Sequence, residues 1–226
     1  MIDDILALFP GLGLSIQLMV VSLAVGLPLG LAAGLALFEG NRAVRIIVAL
    51  LTELGRGFPA LVTLYLFYFG LPSLGIVMDA FPALVVAFGY TTASYTADIF
   101  RSALAGVPAA QHEAAAALSL SRWKTLRLVI LPQAIRIVIP PVLGFSIIVF
   151  QATALAYSVG LRELTSRAYD EGTLHFDTLH FMLIAAVMYL LVAVGIALVA
   201  RIVQHRIEGT VKIKSPSITP SLNTVS

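Results

Sequence analysis

Long apolar runs alternate with short polar stretches along the chain. Each run is long enough, as an α-helix, to cross a hydrocarbon layer of about 30 Å. The first run has no small-residue cleavage site after a basic start, so we expect it to be retained rather than removed as a signal peptide. The pattern predicts five transmembrane helices, at about residues 11–37, 59–78, 82–104, 134–158 and 178–203.

The second apolar stretch, residues 43–78, is too long for one straight span, because as a single helix it would reach about 54 Å. The sequence Gly-Arg-Gly-Phe-Pro at residues 55–59 is the predicted break. Glycine loosens the backbone, and proline suits the first turn of a new helix. Residues 43–54 are therefore predicted to form an interfacial helix that leads into the second span.

Small residues recur in the first span, where Gly26, Gly30 and Gly34 are spaced four apart. This spacing lines up small residues on one helix face and lets another helix backbone approach closely. We interpret the stripe as a packing surface rather than a ligand site.

The composition supports a membrane protein. The 226 residues are 59% hydrophobic and 12% charged, with a mean hydropathy of +0.98, whereas soluble domains are about 25% charged. The absence of cysteine excludes disulfides, a thiolate nucleophile and Cys-ligated metals. The four histidines are scattered, so no metal site is expected. The predicted fold class is an all-α, polytopic membrane protein with five transmembrane helices.

The placement of charge predicts the orientation. All lysines and arginines except Arg162 and Arg167 fall in residues 42–56, 101–136 and 201–214. By the positive-inside rule, these stretches are cytoplasmic, so the N-terminus lies outside and the C-terminus lies in the cytoplasm. Residues 209–226 are rich in Ser, Thr and Pro and are predicted to be a disordered cytosolic tail, which leaves residues 1–208 as the transmembrane domain.

The cytoplasmic loop at residues 105–133 is too organised to be a simple connector. Pro108 suits the first turn of a short helix, and Glu113 lies near that helix's positive end. The alanines that follow favour helix and add little side-chain bulk, so the helix is slim enough to enter a groove on another protein. Ser121 is predicted to cap a second short helix that Leu131 and Pro132 end.

The loop closely resembles the EAA loop of ABC importer permeases. The matching residues are Glu113-Ala114-Ala115, then Ser119, then the stretch 129–132, Val-Ile-Leu-Pro. The family has glycine where this chain has Ser119. If that glycine takes a left-handed turn, serine adds roughly 1 to 2 kcal/mol of strain. The resemblance implies that an ATPase is coupled through Glu113, Ala114, Ala115, Ser119, Leu131 and Pro132.

Further stretches resemble the subfamily of polar amino-acid permeases for histidine, glutamate, glutamine, arginine and opines. Residues 52–59, 67–72 and 97–101 are similar to segments of that subfamily. Residues 150–157 resemble the Phe-Gln-Asp-Thr-Ser-Leu-x-Tyr segment of glutamate/aspartate permeases, with Ala152 and Ala154 in place of Asp and Ser. Glutamate or aspartate is the cargo this implies, with basic or neutral polar amino acids as the alternative.

The resemblance also implies an assembly in the bacterial inner membrane. It contains a second permease, identical or a sister chain, two ATP-binding subunits and an extracytoplasmic solute-binding protein. The sequence has no GxxxxGK[ST] phosphate loop, so ATP must be hydrolysed by a partner. We expect no catalytic residue, no cofactor and no nucleic-acid partner for this chain, with ATP and magnesium bound by the ATPase subunits.

A polar amino acid crossing lipid needs partners near the midplane for its carboxylate and ammonium groups. Five polar residues at similar predicted depths are the candidates: Tyr68, Ser94, Tyr95, Gln151 and Thr153. The alternative is that Ser and Thr bond to carbonyls of their own helix and that the tyrosines pack between helices. Gln151 is the strongest candidate, because an amide in hydrocarbon is costly without a partner.

Near the predicted cytoplasmic boundary are two pairs of opposite charges, and the two residues of each pair lie three positions apart. They are Glu53 with Arg56 and Asp98 with Arg101. Each pair can neutralise itself on one helix face. Interface anchoring and a gating role both remain open for these pairs.

Two other classes of protein are rivals. An ion-coupled secondary carrier would typically show two related halves with paired broken helices. A membrane-embedded enzyme would need a motif such as HExxH or GxSxG. The sequence shows none of these features.

Overall fold

The computed structural model describes residues 2–210, with side chains to residue 207. Residues 211–226, most of the predicted tail, lie outside the described part. All regular structure from residue 2 to residue 210 is helical, which confirms the predicted all-α class. The helices are α1 (Ile2–Glu39), α2 (Arg42–Gly57), α3 (Ala60–Gly70), α4 (Ala80–Ala105), α5 (Ala109–Ala117), α6 (Arg122–Thr125), α7 (Leu131–Ala152), α8 (Leu164–Leu174) and α9 (Thr178–Thr210).

Three helical stretches are each long and apolar enough to cross a membrane: Ile2–Glu39, Arg122–Val159 and Thr178–Ile207. The pair α2 and α3, bent by 104°, is a fourth candidate. The remaining predicted span is α4, whose 26 residues reach about 39 Å. It is less apolar because it packs inside the bundle, where Thr92, Ser94 and Thr96 are buried. The architecture is consistent with five spans.

The first and last spans are longer than predicted. Helix α1 begins at Ile2 rather than near residue 11, because its first turns bury Leu8 against α8 and α9. Pro10 and Pro28 both lie inside this helix. Helix α9 extends to Thr210, two residues into the predicted tail.

The second span is shorter than predicted. The break falls between Gly57 and Ala60, as the glycines and Pro59 predicted, but α3 ends at Gly70 instead of near residue 78. A 3₁₀ turn, Leu71–Leu74, follows and stops at Gly75, whose φ of +80° is left-handed. Helix α3 alone is about 16 Å long, roughly half the hydrocarbon thickness.

The predicted stop at Leu131 and Pro132 is wrong. The chain stays helical from Arg122 to Val159, and a π-helical segment, Leu126–Ile130, joins α6 to α7. Pro132 cannot donate to a carbonyl one turn earlier, and the wider π turn accommodates it at the start of α7. Pro140 and Pro141 lie inside α7, and a 3₁₀ segment, Thr153–Val159, follows it.

The packing prediction for the glycine stripe is confirmed. Gly26, Gly30 and Gly34 are buried and face Thr92, Thr96 and Phe100 of α4, respectively. A Cβ atom on Gly26 would lie 2.5 Å from the Thr92 Cβ and 2.8 Å from the Gly89 carbonyl oxygen. The backbones of α1 and α4 can approach this closely only because the stripe has no side chains.

Helix α8, which the sequence did not predict, is held by a buried carboxylate. Glu163 is fully buried and caps α8 by accepting hydrogen bonds from the backbone N–H groups of Thr165 and Ser166, each at 2.9 Å. It also accepts from Ser15 of α1 at 3.2 Å and from Tyr189 of α9 at 2.8 Å. One side chain therefore ties three helices together at one end of the bundle.

The buried cap makes stability depend on pH. Burial raises the pKa of the Glu163 carboxyl above its ordinary value, and the four hydrogen bonds to it oppose that effect only in part. The folded state therefore holds the proton more tightly than the unfolded chain does. The contribution of Glu163 to stability is greatest below the ordinary carboxyl pKa, about 4.3, and declines as the pH rises through the raised value.

We predict that Glu163→Gln lowers stability by about 1 to 3 kcal/mol at pH 4, because the amide nitrogen, unlike the carboxyl oxygen that it replaces, cannot accept a hydrogen bond. Gln does not titrate, so the gap between wild type and variant should narrow as the pH rises from 4 to 8. Thermal unfolding midpoints of wild type and variant across that pH range measure the difference in stability. Glu171→Gln, at a partly exposed carboxyl, is the control. A gap that stays constant or widens with pH would contradict the prediction.

Candidate functional site

The two predicted charge pairs form one chain of contacts across α2 and α4. Arg56 contacts both Glu53 on its own helix and Asp98 on α4. Asp98 also accepts a hydrogen bond from Arg101 at 3.3 Å. The spacing predicted the pairs within each helix, but the contact between Arg56 and Asp98 depends on how the helices cross, which sequence spacing does not reveal.

Close packing brings α2 to α4 at this point. Ser94 of α4 lies against Gly55 of α2, and the Tyr90 hydroxyl donates to the Leu51 carbonyl at 2.7 Å. Arg56 directly follows Gly55, and Asp98 lies one turn beyond Ser94; the Arg56 and Asp98 side chains are 26% and 31% exposed. The ion pairs therefore lie at the edge of the bundle, where solvent weakens them.

A cavity of about 760 Å³ opens beside these charges. Its wall holds four arginines and two acids, contributed by α2 and α4, while Leu37 from the end of α1 adds an apolar patch. The arginines at the start of α2, Arg42 and Arg45, entered the sequence interpretation only as orientation signals. The charged residues of the wall are Arg42, Arg45, Glu53, Arg56, Asp98 and Arg101.

The predicted coupling helix is present as α5, and its exposure fits a docking element. Glu113 and Ala114 are exposed, whereas Ala115 is buried against the rest of the chain. Leu118, at the end of the helix, is 74% exposed. Helix α5 is joined to the base of α7 by a hydrogen bond of 3.3 Å from the Gln133 amide nitrogen to the Gln111 side-chain oxygen.

Ser119 ends α5 in a left-handed conformation, with φ of +53°. The Leu120 N–H bonds to the Ala115 carbonyl at 3.1 Å, and the Ser119 N–H bonds to the Ala116 carbonyl at 2.8 Å. This pair of bonds defines a Schellman motif, whose left-handed position usually holds glycine. Serine at this position carries the strain that the sequence comparison predicted.

Leu131 and Pro132, the other end of the EAA pattern, begin α7 directly after the π-helical segment. Helix α5 packs against that segment. The two ends of the pattern are therefore close in space.

The five candidate substrate residues are not all in one place. Ser94 and Thr153 are buried and donate to carbonyls of their own helices, at 2.9 Å to Tyr90 and 2.6 Å to Phe150. Tyr68 is half-buried and packs edge-on against Phe69. A transport role for these three residues stays a prediction.

Tyr95 and Gln151 are different, because both are exposed on the isolated chain. Tyr95 is 41% exposed and stacks on Phe145 of α7. Gln151 is exposed, and its side chain makes no hydrogen bond within the described residues. It continues an exposed stripe on one face of α7 formed by Ile137, Pro141, Gly144 and Ile148.

An unpaired amide facing hydrocarbon is costly, so the Gln151 face needs a polar neighbour outside this chain. A second cavity, of about 380 Å³, lies between α4 and α7 at the Ile137 end of the stripe. Asp98 and Ser102 form part of its α4 wall. Helices α4 and α7 therefore present polar groups on a surface that the single chain leaves open.

Comparison with known proteins identifies the class. Residues 26–209 match the family model described as "binding-protein-dependent transport system inner membrane component". A crystal structure of an amino acid ABC transporter with histidines superposes with a TM-score of 0.85 at 26% identity, covering 91% of this chain and 96% of that chain.

Curated relatives agree with this class. A probable amino-acid ABC transporter permease protein of Bacillus subtilis (strain 168) is 36% identical over 79% of each chain. The glutamine transport system permease protein of Escherichia coli (strain K12) is 32% identical over 89% of this chain and 93% of its own length. The L-cystine transport system permease protein of Bacillus subtilis (strain 168) is 31% identical over 88% of this chain and 85% of its own length.

The chain belongs to the family of binding-protein-dependent inner-membrane transport components. It is a permease subunit of an amino-acid ABC importer and not itself an enzyme, because the ATPase of such a transporter is a separate subunit. ATPase partners and a paired permease follow from this class. The resemblance to polar amino-acid permeases predicted from the sequence is confirmed.

We predict that Ser119→Gly stabilises the end of α5 by about 1 kcal/mol, because glycine adopts φ of +53° without strain. Hydrogen exchange at the Ser119 and Leu120 amides should slow by roughly fivefold. Ser121→Gly is the matched control, since the φ of Ser121 is −65° and its side chain makes no capping bond. Equal or faster exchange at these amides in Ser119→Gly would contradict the prediction.

Proposed function

We propose that this permease carries a polar amino acid into the cytoplasm, with glutamate or aspartate as the preferred cargo, and that α5 couples transport to ATP hydrolysis. The observation that carries the coupling proposal is the attachment of α5. It is exposed along Glu113 and Ala114, yet bonded to α7 through Gln111 and Gln133. A force on α5 therefore acts directly on a membrane-spanning helix.

The orientation is part of the proposal. Helix α2, the end of α4 and the stretch from α6 into the first turns of α7 carry the arginines and the lysine of the central chain. Helix α5 lies between α4 and α6, while α8 and its neighbours carry acidic residues. The positive-inside rule places α5 on the cytoplasmic face, where cytosolic ATPase subunits can reach it. It places the N-terminus and α8 on the outer face, where a solute-binding protein delivers the amino acid.

The transport path is proposed to follow the open face of α4 and α7. Tyr95 and Gln151 offer a hydroxyl and an amide to the cargo, and Asp98 lies further along toward the cytoplasm. A paired permease facing this surface would complete the path and satisfy the Gln151 amide. Arg56 and Arg101 hold Asp98 at the inner end, so the gating step breaks these ion pairs.

The choice of glutamate or aspartate is based on residues 150–157, which resemble a segment of glutamate/aspartate permeases. Gln151 of this segment is exposed on the open face of α4 and α7. Glutamine and L-cystine, named for the two relatives above, are the cargoes to test against it. Arginine, named for a Bacillus subtilis relative that is 29% identical over 92% of this chain, is a third.

We predict that proteoliposomes containing this chain, its ATPase and its binding protein take up labelled glutamate only when ATP is present inside with the ATPase. Glu113→Lys should abolish uptake, because it places a cation on the exposed docking face of α5. Lys124→Glu is the matched control, a charge reversal in the same loop but outside α5, and should retain uptake.

The result separates the parts of the proposal. ATP-dependent uptake of glutamine, cystine or arginine instead of glutamate would overturn the cargo and keep the coupling. Uptake driven by an ion gradient without ATP would overturn the coupling. Full uptake by Glu113→Lys would overturn the role of α5.

A further inference from the structure

The 760 Å³ cavity beside the Arg56 and Asp98 contact is lined by more arginines than acidic residues. Four arginines and two acids line it. Arg56 and Arg101 are paired with Asp98, and Arg56 also with Glu53. Arg42 and Arg45 have no acidic partner among the side chains described, residues 2–207. Two guanidinium groups are therefore left to face the cavity.

The cavity lies at the level of the lipid headgroups. Leu37 is close to the end of α1, Arg101 is close to the end of α4, and Arg42 is the first residue of α2. These helix ends mark one boundary of the membrane. Helix α2 lies along that boundary, since it is bent by 104° from α3 and exposes apolar residues, Ile47, Leu50 and Leu54 among them.

The wall chemistry fits a phosphodiester with a glyceryl group better than a bare anion. Arginine binds phosphate oxygens through two parallel N–H groups, and basic pockets between transmembrane helices bind anionic lipid headgroups. Leu37, Ile46 and Ala49 add apolar wall next to the arginines. A volume of about 760 Å³ exceeds what a lone phosphate needs and leaves room for the glyceryl group and the first acyl carbons.

The cavity borders the inner end of the proposed transport path at Asp98 but opens on the α2 side of α4. No residue of α7 lines it, whereas the second cavity lies between α4 and α7. Asp98 is the only charged residue common to the two walls. A ligand bound at Arg42 and Arg45 therefore lies on the α2 side of α4, away from the exposed face that carries Gln151.

We propose that this cavity is a binding site for an anionic phospholipid, in which Arg42 and Arg45 bind the headgroup phosphate and the apolar wall receives the glyceryl end of the chains. Bound there, the lipid lies next to the Arg56 and Asp98 contact. Lipid composition would then affect the stability of the α2 and α4 junction without any change in the transported amino acid.

The test is a titration of the purified, delipidated permease complex with short-chain phosphatidylglycerol, followed by native mass spectrometry. Short-chain phosphatidylcholine is the neutral comparison. Arg42→Gln/Arg45→Gln should weaken phosphatidylglycerol binding by roughly 10- to 30-fold, since each basic residue near an anionic lipid contributes severalfold. Arg122→Gln/Arg127→Gln, also exposed and basic but outside the cavity, should bind as wild type does.

A second variant, Arg42→Lys/Arg45→Lys, keeps the charge and should bind at an intermediate level, because lysine lacks the two-pronged geometry. Gel filtration of each variant checks that the complex is intact. Equal binding by wild type and Arg42→Gln/Arg45→Gln, or an equal loss in the Arg122/Arg127 control, would overturn the proposal.

Competition identifies the source of the anion. Inorganic phosphate or glycerol 3-phosphate displacing the lipid at equal concentration would overturn the lipid assignment in favour of a free-anion site. Displacement by glutamate or aspartate would overturn it in favour of a substrate site. Failure of the lipid test leaves the uptake experiment unaffected, because that experiment depends on α5 and not on this cavity.

Discussion

The close contact of α1 and α4 is the constraint on which the other elements depend. Gly26, Gly30 and Gly34 leave three successive turns of α1 without side chains where it meets α4, between α1 side chains such as Leu18 and Val25 that also pack there. Lipid is as apolar as the helices, so this association must come from dispersion contacts between closely packed backbones rather than from the hydrophobic effect. Because α1 and its neighbours cover much of α4, that helix can carry buried threonines and serines that a lipid-facing helix would carry only at a cost.

Helix α4 positions both candidate regions, the charged contacts with α2 and the open face shared with α7. Asp98 near its C-terminal end receives Arg56 from α2, and Tyr95 stacks on Phe145 of α7. The chain then leaves α4, forms α5 and returns as the helix from Arg122 to Val159. Helix α5 is bonded to α7 but makes few contacts with the α1 and α4 pair. This division agrees with the proposal that α5 moves with α7 while the α1 and α4 pair stays fixed.

Sequence patterns predicted what depends on neighbours along the chain. The five apolar runs, the break before Pro59, the slim α5 and the turn at Ser119 all follow from local spacing or from a motif. Three features were not predicted, and the first two depend on how distant segments cross. The Arg56 and Asp98 contact joins two helices, and the Glu163 cap collects donors from α1, α8 and α9. The π-helical segment, Leu126–Ile130, carries the helix past Pro132, where proline alone predicted a stop.

The most direct test of the central claim is the replacement of Gly26 by alanine. The added Cβ would lie 2.5 Å from the Thr92 Cβ, so α1 and α4 must separate, and we expect a loss of about 1 to 3 kcal/mol of stability together with reduced amino-acid uptake. Gly195→Ala in α9 is the matched control, because a Cβ there has nothing within 4 Å. Thermal unfolding midpoints and ATP-driven uptake of the two variants, compared with wild type, give the answer. Wild-type stability and uptake in Gly26→Ala would contradict the account.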